Sequence, residues 1–125
     1  MKYSELLVWQ KAMDLVTMVY KLTKTFPTDE KFGLISQIQR AAVSVAVNIA
    51  EGHGRKATGA YLNHLSIANG SLMELETLIQ IARRLEYLDS RWEKQALLQT
   101  HEIGKMLSGL SRSLNPRSAI LNPES

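Results

Sequence analysis

RAAVSVAVNIAEGHGR, residues 40–55, is an apolar run whose only polar members before Gly52 are Arg40, Ser44, Asn48 and Glu51. It is too short, and too polar at its ends, to span a bilayer. Spacings of four, four and three residues belong to a helix rather than a strand. On a wheel of about 100° per residue, Gly33, Gln37, Arg40, Ser44, Asn48 and Glu51 share an arc of roughly 80°. Leu34, Ile38, Ala41, Ala42, Val45 and Ile49 fill the adjacent arc. A third arc holds Val43, Ala46, Val47 and Ala50, all small or medium apolar residues.

A bundle helix needs one apolar stripe to face its own core, and this helix has two. An uncovered second stripe is the kind of patch that marks an interface, so Val43, Ala46, Val47 and Ala50 are candidates for contact between copies of the chain. The alternative is one wide core face on a helix at the centre of a tight bundle. The polar stripe has alternatives of its own: solvent, another subunit, or the next helix. If helices two and three form a hairpin turning near Ala57, residues whose numbers add to about 114 face each other. That sets Ser44 against Gly70, Asn48 against Ser66, and Arg40 against Glu74. An ion pair between the last two contributes little if exposed, and breaking it is costly if it is buried.

Outward from this stretch, prolines and glycines divide the chain into four periodic segments. The first runs from about Ser4 to Thr25 and stops before Phe26-Pro27. In the second, Thr28 is a cap and Asp29 and Glu30 suit the positive end of the helix dipole; Gly52 is its expected left-handed end. The third extends from Ala57 or Thr58 to about Glu86. The fourth opens on Ser90, with Glu93 at capping-box spacing, and ends at Asn115-Pro116. Trp9, Tyr20 and Trp92 fall on apolar stripes and are expected in the core. The pattern predicts an all-α, antiparallel up-down-up-down four-helix bundle over residues 1–115. Residues 116–125, with two prolines and little apolar content, are expected to form a flexible tail.

At 125 residues the chain is long enough for one self-sufficient core, and it has no cysteine for disulfides or thiolate metal sites. No signal-like or membrane-spanning segment is evident, so the expected compartment is the cytoplasm. A net charge of +3 permits a polyanionic partner without demanding one. The charges spread over both ends of the bundle. Arg55-Lys56 and Arg83-Arg84 are the candidate nucleic-acid contacts, but helix three holds them about 40 Å apart. A ring of copies would repeat either pair around a rim, and ordinary solubilising charge is the plainer reading.

No catalytic or cofactor constellation stands out. Di-iron bundles use Glu-x-x-His, and none of His53, His64 and His101 has a glutamate three residues earlier. Glu51 and His53 lie close together around a Gly turn, more often a helix end and a surface loop than an acid–base pair, which needs both geometry and shifted pKa values. The run GHGRKATG lacks the Gly-Lys-Ser/Thr ending of a phosphate-binding loop. No cofactor and no metal are expected.

Several ordered pieces carry a resemblance. They are Leu7-Val8-Trp9-Gln10-Lys11-Ala12, Phe26-Pro27, Phe32-Gly33-Leu34, Gln37-Ile38-Gln39-Arg40-Ala41-Ala42 and Asn48-Ile49-Ala50-Glu51-Gly52. Helix three adds Ser66-Ile67-Ala68-Asn69-Gly70-Ser71 and Glu74-Leu75-Glu76. Together the chain resembles the four-helix-bundle family known as 23S rRNA-intervening-sequence proteins. The resemblance implies a cytosolic bundle assembled as a ring-like homopentamer. It also implies a distant similarity to the accessory variability proteins of diversity-generating retroelements, which bind nucleic acid and a reverse transcriptase. One departure is Ala57-Thr58-Gly59-Ala60, uncharged where the family is polar and acidic before its aromatic, here Tyr61. The expected function is a non-enzymatic homo-oligomeric scaffold whose partner is RNA, DNA or a nucleic-acid-handling protein. The alternative is a protein-interaction module with no nucleic-acid role.

Overall fold

A computed structural model describes residues 1–115, so the expected tail at 116–125 lies outside the described residues. The four periodic segments are helices α1 (Leu7–Leu22), α2 (Leu34–His53), α3 (Thr58–Arg84) and α4 (Ser90–Leu114). Helix α1 packs on α2 and α4, and α3 packs on the same two, which is the square of an antiparallel up-down-up-down bundle. The most extensive contact is α2 on α3. Among the described residues no helix is long and apolar enough to cross a membrane.

The core is built from one stripe per helix. Leu15 and Val19 of α1 meet Ile38, Ala42, Val45 and Ile49 of α2, all with no exposed surface. Leu65, Leu72, Leu75 and Ile79 of α3 and Ala96, Ile103 and Leu107 of α4 complete it. Each such Leu, Ile or Val contributes about 1.5–3 kcal/mol relative to exposure. The α1 stripe runs Val8, Ala12, Leu15, Val19, Leu22, at alternating spacings of four and three. That choice rotates Tyr20 outward to 45% exposure, against the expectation that it is core. Trp9 and Trp92 pack partly buried against the core's edge, as amphipathic rings do.

Three helix ends differ from their sequence signals. Thr28–Glu30 forms a separate 3-10 turn, and α2 starts after Gly33. Its true cap is the Glu30 carboxylate, which accepts from the Leu34 amide at 3.2 Å and from the Tyr87 hydroxyl at 3.0 Å. One side chain thus satisfies an orphan helix donor and ties the start of α2 to the α3–α4 connection. That negative partner holds the Tyr87 hydroxyl above its ordinary pKa. Asp89, not Ser90, caps α4 by accepting from the Trp92 amide at 2.9 Å. Gly52 does not end α2, which runs on to His53 and closes on Gly54 with right-handed dihedrals.

The left-handed position occurs at Glu86, with φ of 65°, after α3. Its amide donates to the Arg83 carbonyl and the Tyr87 amide to the Ala82 carbonyl, the two bonds of a Schellman end.

Candidate functional site

Helix α2 has three sides, and the structure treats each differently. Its core stripe is sealed. Its outward side carries Val43 at 36% and Val47 at 43% exposure. The expected interface set divides here. Ala46 is 5% exposed and belongs to the subunit core, a correction to its assignment as an outer-face residue. It packs within the same core cluster as Val45 and Ile49. Ala50 is half-buried at the margin.

Val43 and Val47 line an open groove of about 810 Å³ that Tyr20 of α1 and Phe32, before α2, extend. Phe32 is 89% exposed, with the Lys31 ammonium 5.5 Å from its ring centre. Lys31 and Arg40 flank the groove, and none of the residues that line it is acidic. The surface is therefore apolar and aromatic with a positive margin. Sequence reasoning missed Phe32 and Tyr20 as part of it. The available signal was an aromatic beside the helix-starting glycine, at a position the α2 wheel assigns to the outer arc.

The third side of α2 faces α3 through a directed chain of hydrogen bonds. Arg55 Nε donates to His64 Nε2 at 3.2 Å, so the His64 proton resides on Nδ1, which lies 2.9 Å from Asn48 Oδ1. Asn48 Nδ2 donates to the Ser44 carbonyl at 2.9 Å and to Ser44 Oγ at 3.1 Å. Ser71 Oγ donates to Ser44 Oγ at 2.8 Å. Ser44 and Asn48 thus turn to α3, within two residues of the expected register: Ser71 replaces Gly70 and His64 replaces Ser66. The hairpin is tightly packed at Gly52, where a Cβ would lie 2.8 Å from the His64 Cβ and 3.1 Å from the Tyr61 ring.

Arg40 and Glu74 line one cleft between α2 and α3, with Gln37, Ala41 and Ser44, and both are exposed. No ion pair joins them among the described residues. Glu51 is exposed and lies 4.0 Å from His64 Nδ1.

Both nitrogens of His53 are committed elsewhere. Nε2 lies 2.9 Å from the Met1 carbonyl and so donates to it, leaving Nδ1 to accept from the Tyr61 hydroxyl at 3.2 Å. Burial pushes the Tyr61 hydroxyl above its ordinary pKa, which keeps it a donor. His53 therefore staples the N-terminus to the α2–α3 end and makes no hydrogen bond with Glu51. No cluster of three or more His, Asp or Glu side chains suited to a metal occurs among the described residues.

The basic pairs are not brought together. Arg55 and Lys56 lie exposed in the α2–α3 connection, Arg55 tethered to His64, whereas Arg83 and Arg84 form the last turn of α3. The whole length of that helix separates them.

Comparisons with known proteins come from two directions. A family model described as 23S rRNA-intervening sequence protein matches residues 4–109. A crystal structure from Bacteroides thetaiotaomicron VPI-5482, of a protein with unknown function in the S23 ribosomal protein family, has a similar fold. Its TM-score is 0.79 at 24% identity, covering 85% of this chain and 99% of that one. No curated protein matches the chain.

Proposed function

The chain belongs to the 23S rRNA-intervening sequence protein family, and from that premise we propose that it is a non-enzymatic scaffold assembled from several copies of itself. The observation that carries this reading is the outward face of α2. Val43 and Val47 stand beside an almost fully exposed Phe32 in a groove without carboxylates. Aromatic and aliphatic anchors with a polar rim are the composition of an interface core, and leaving them wet forfeits the free energy of burial. A ring of five, in the cytoplasm, is the assembly we assign.

Such a ring repeats the exposed Lys56 and its neighbour Arg55 around one rim, and Arg83 and Arg84 around the other. We assign RNA, DNA or a nucleic-acid-handling protein as the partner, held by many weak contacts to phosphate or to an acidic surface. A protein-interaction module without nucleic acid is the second reading, favoured by the modest net charge of +3.

Light scattering on the wild-type chain and on Val47→Glu tests the assembly. The wild type is expected to run as a multiple of the 14.0 kDa chain and the variant as a helical monomer. An unchanged assembly in Val47→Glu places the contact elsewhere. Titration of single-stranded RNA at increasing salt tests the partner: phosphate contacts weaken steeply as salt rises. Absence of binding at low salt leaves the protein-interaction reading.

A further inference from the structure

His64 holds Arg55 in one protonation state only. Arg55 Nε donates to His64 Nε2 at 3.2 Å, which requires a lone pair on that nitrogen. The ring proton is on Nδ1, 2.9 Å from Asn48 Oδ1. A guanidinium is always charged and always a donor. Protonation of Nε2 therefore sets two donors, and two positive charges, against each other at one place. The bond to Arg55 is lost.

The carboxylate beside the ring responds in the opposite sense. Glu51 Oε2 stands 4.0 Å from His64 Nδ1, at a histidine side chain only 15% exposed. A neutral imidazole attracts it weakly, and an imidazolium draws it in. Among the described residues, Glu51, Asn48 and Arg55 are the side chains that hydrogen-bond or ion-pair with His64. The Arg55 guanidinium makes no other hydrogen bond or ion pair among them.

His53, the second imidazole at this end, behaves differently. Its nitrogens meet the Met1 carbonyl and the Tyr61 hydroxyl. An added proton leaves the Met1 bond intact, and the Tyr61 oxygen accepts from Nδ1 once its hydrogen turns away. One histidine tolerates the charge; the other exchanges partners.

We propose that His64 is a pH-operated clasp on Arg55. Neutral, it ties the guanidinium back against the α2–α3 seam; protonated, it takes Glu51 in exchange and frees the guanidinium for a phosphate. Resting on the reading of Arg55 and Lys56 as a polyanion contact, this adds the regulation of that contact. An imidazole changes charge between about pH 5 and 8. Acidification across that range frees one cation, and the imidazolium neutralises the carboxylate that would otherwise repel phosphate or recapture Arg55.

Heteronuclear NMR on the full chain reads the clasp without any ligand. The exchange of the Arg55 Nε proton with water is divided by that of the exposed Arg84, which cancels the intrinsic effect of pH. At about pH 7.5 Arg55 is expected to exchange about three- to tenfold more slowly than Arg84. At about pH 5.5 the two are expected to be equal, the change following the titration of the His64 ring. In His64→Gln the ratio is expected to be the same at both. A wild-type ratio that stays constant while the ring titrates overturns the proposal. So does a ring still neutral at the lower pH, or an Arg55 no slower than Arg84 at the higher.

A single-stranded uridine oligonucleotide then supplies the phosphate. The salt slope of wild-type binding is expected to be steeper at the lower pH by about 0.7 to 1.4, one or two further contacts. His64→Gln is expected to abolish that difference, since His53 and His101 titrate in both proteins. An equal difference in His64→Gln overturns the role of the clasp at this contact. No binding at either pH, with the exchange ratio as expected, removes the nucleic-acid reading and leaves the clasp standing.

Discussion

Val45 and Val47 are the same residue two positions apart on α2, yet the first has no exposed surface and the second is 43% exposed. The 200° between them on the wheel separates a position that builds the subunit from one the subunit does not use. Composition cannot distinguish the two stripes. Only the placement of α1, α3 and α4 around α2 does, and it leaves the outward arc uncovered. One helix thus carries two kinds of information: how the chain folds, and where something else can sit.

The largest expected effect breaks the first kind. Val45→Asp puts a carboxylate in a sealed core without a partner, and is expected to unfold the chain, a loss of about 4 kcal/mol or more. Loss of the helical circular dichroism signal checks it; a folded variant would show that the core around Val45 admits water.

Gly52→Ala comes next. The added Cβ meets the His64 Cβ at 2.8 Å, on a backbone that two packed helices hold rigid. Overpacking of this kind costs about 1–3 kcal/mol, against the gain of up to about 1 kcal/mol that Gly→Ala brings in an unobstructed helix. Gly109, with nothing within 4 Å of its Cβ position, is the matched control and is expected to gain. Urea midpoints for the pair separate close helix approach from mere flexibility; a stabilised Gly52→Ala would deny the close approach.

Asn48→Ala removes the middle of the chain of hydrogen bonds that runs from Arg55 to Ser71. His64 Nδ1 then loses its acceptor in a partly buried seam, for a cost of about 1–2 kcal/mol. Urea unfolding with the helical signal retained is the check, and no loss of stability would show that water replaces the amide freely.

Val47→Glu sharpens the comparison from the other side. At a half-exposed surface position the change in subunit stability is expected within about 0.5 kcal/mol. The main effect appears in mass by light scattering, and the melting curve changes only by the concentration-dependent stabilisation that assembly adds. A large loss of stability that is independent of protein concentration would move Val47 into the fold's own account.

Much of this was readable in residue order. The helices, their antiparallel order and the two-sided apolar character of residues 40–50 follow from the 3.6-residue period and the positions of Pro27 and Pro116. Facing residues across the α2–α3 hairpin were legible to within two positions, because a short connection between straight helices leaves little freedom in their alignment. The stripe of Arg40, Ser44, Asn48 and Glu51 was visible as a stripe, but its members part company in space. Ser44 and Asn48 turn inward to α3, while Arg40 and Glu51 stay exposed.

The remainder depended on contacts between residues far apart in sequence. The Glu30 carboxylate displaced Thr28 as the cap because Tyr87, from the α3–α4 connection, fixes it in place. Tyr20 went to the surface because α1 packs through Leu15 and Leu22, a choice between two stripes that its own periodicity leaves open, and Ala46 went to the core. Periodicity fixes which side chains share a face. Which face is buried depends on how much apolar area each helix can bury against its neighbours at once, and that sum exists only when all four helices are in place.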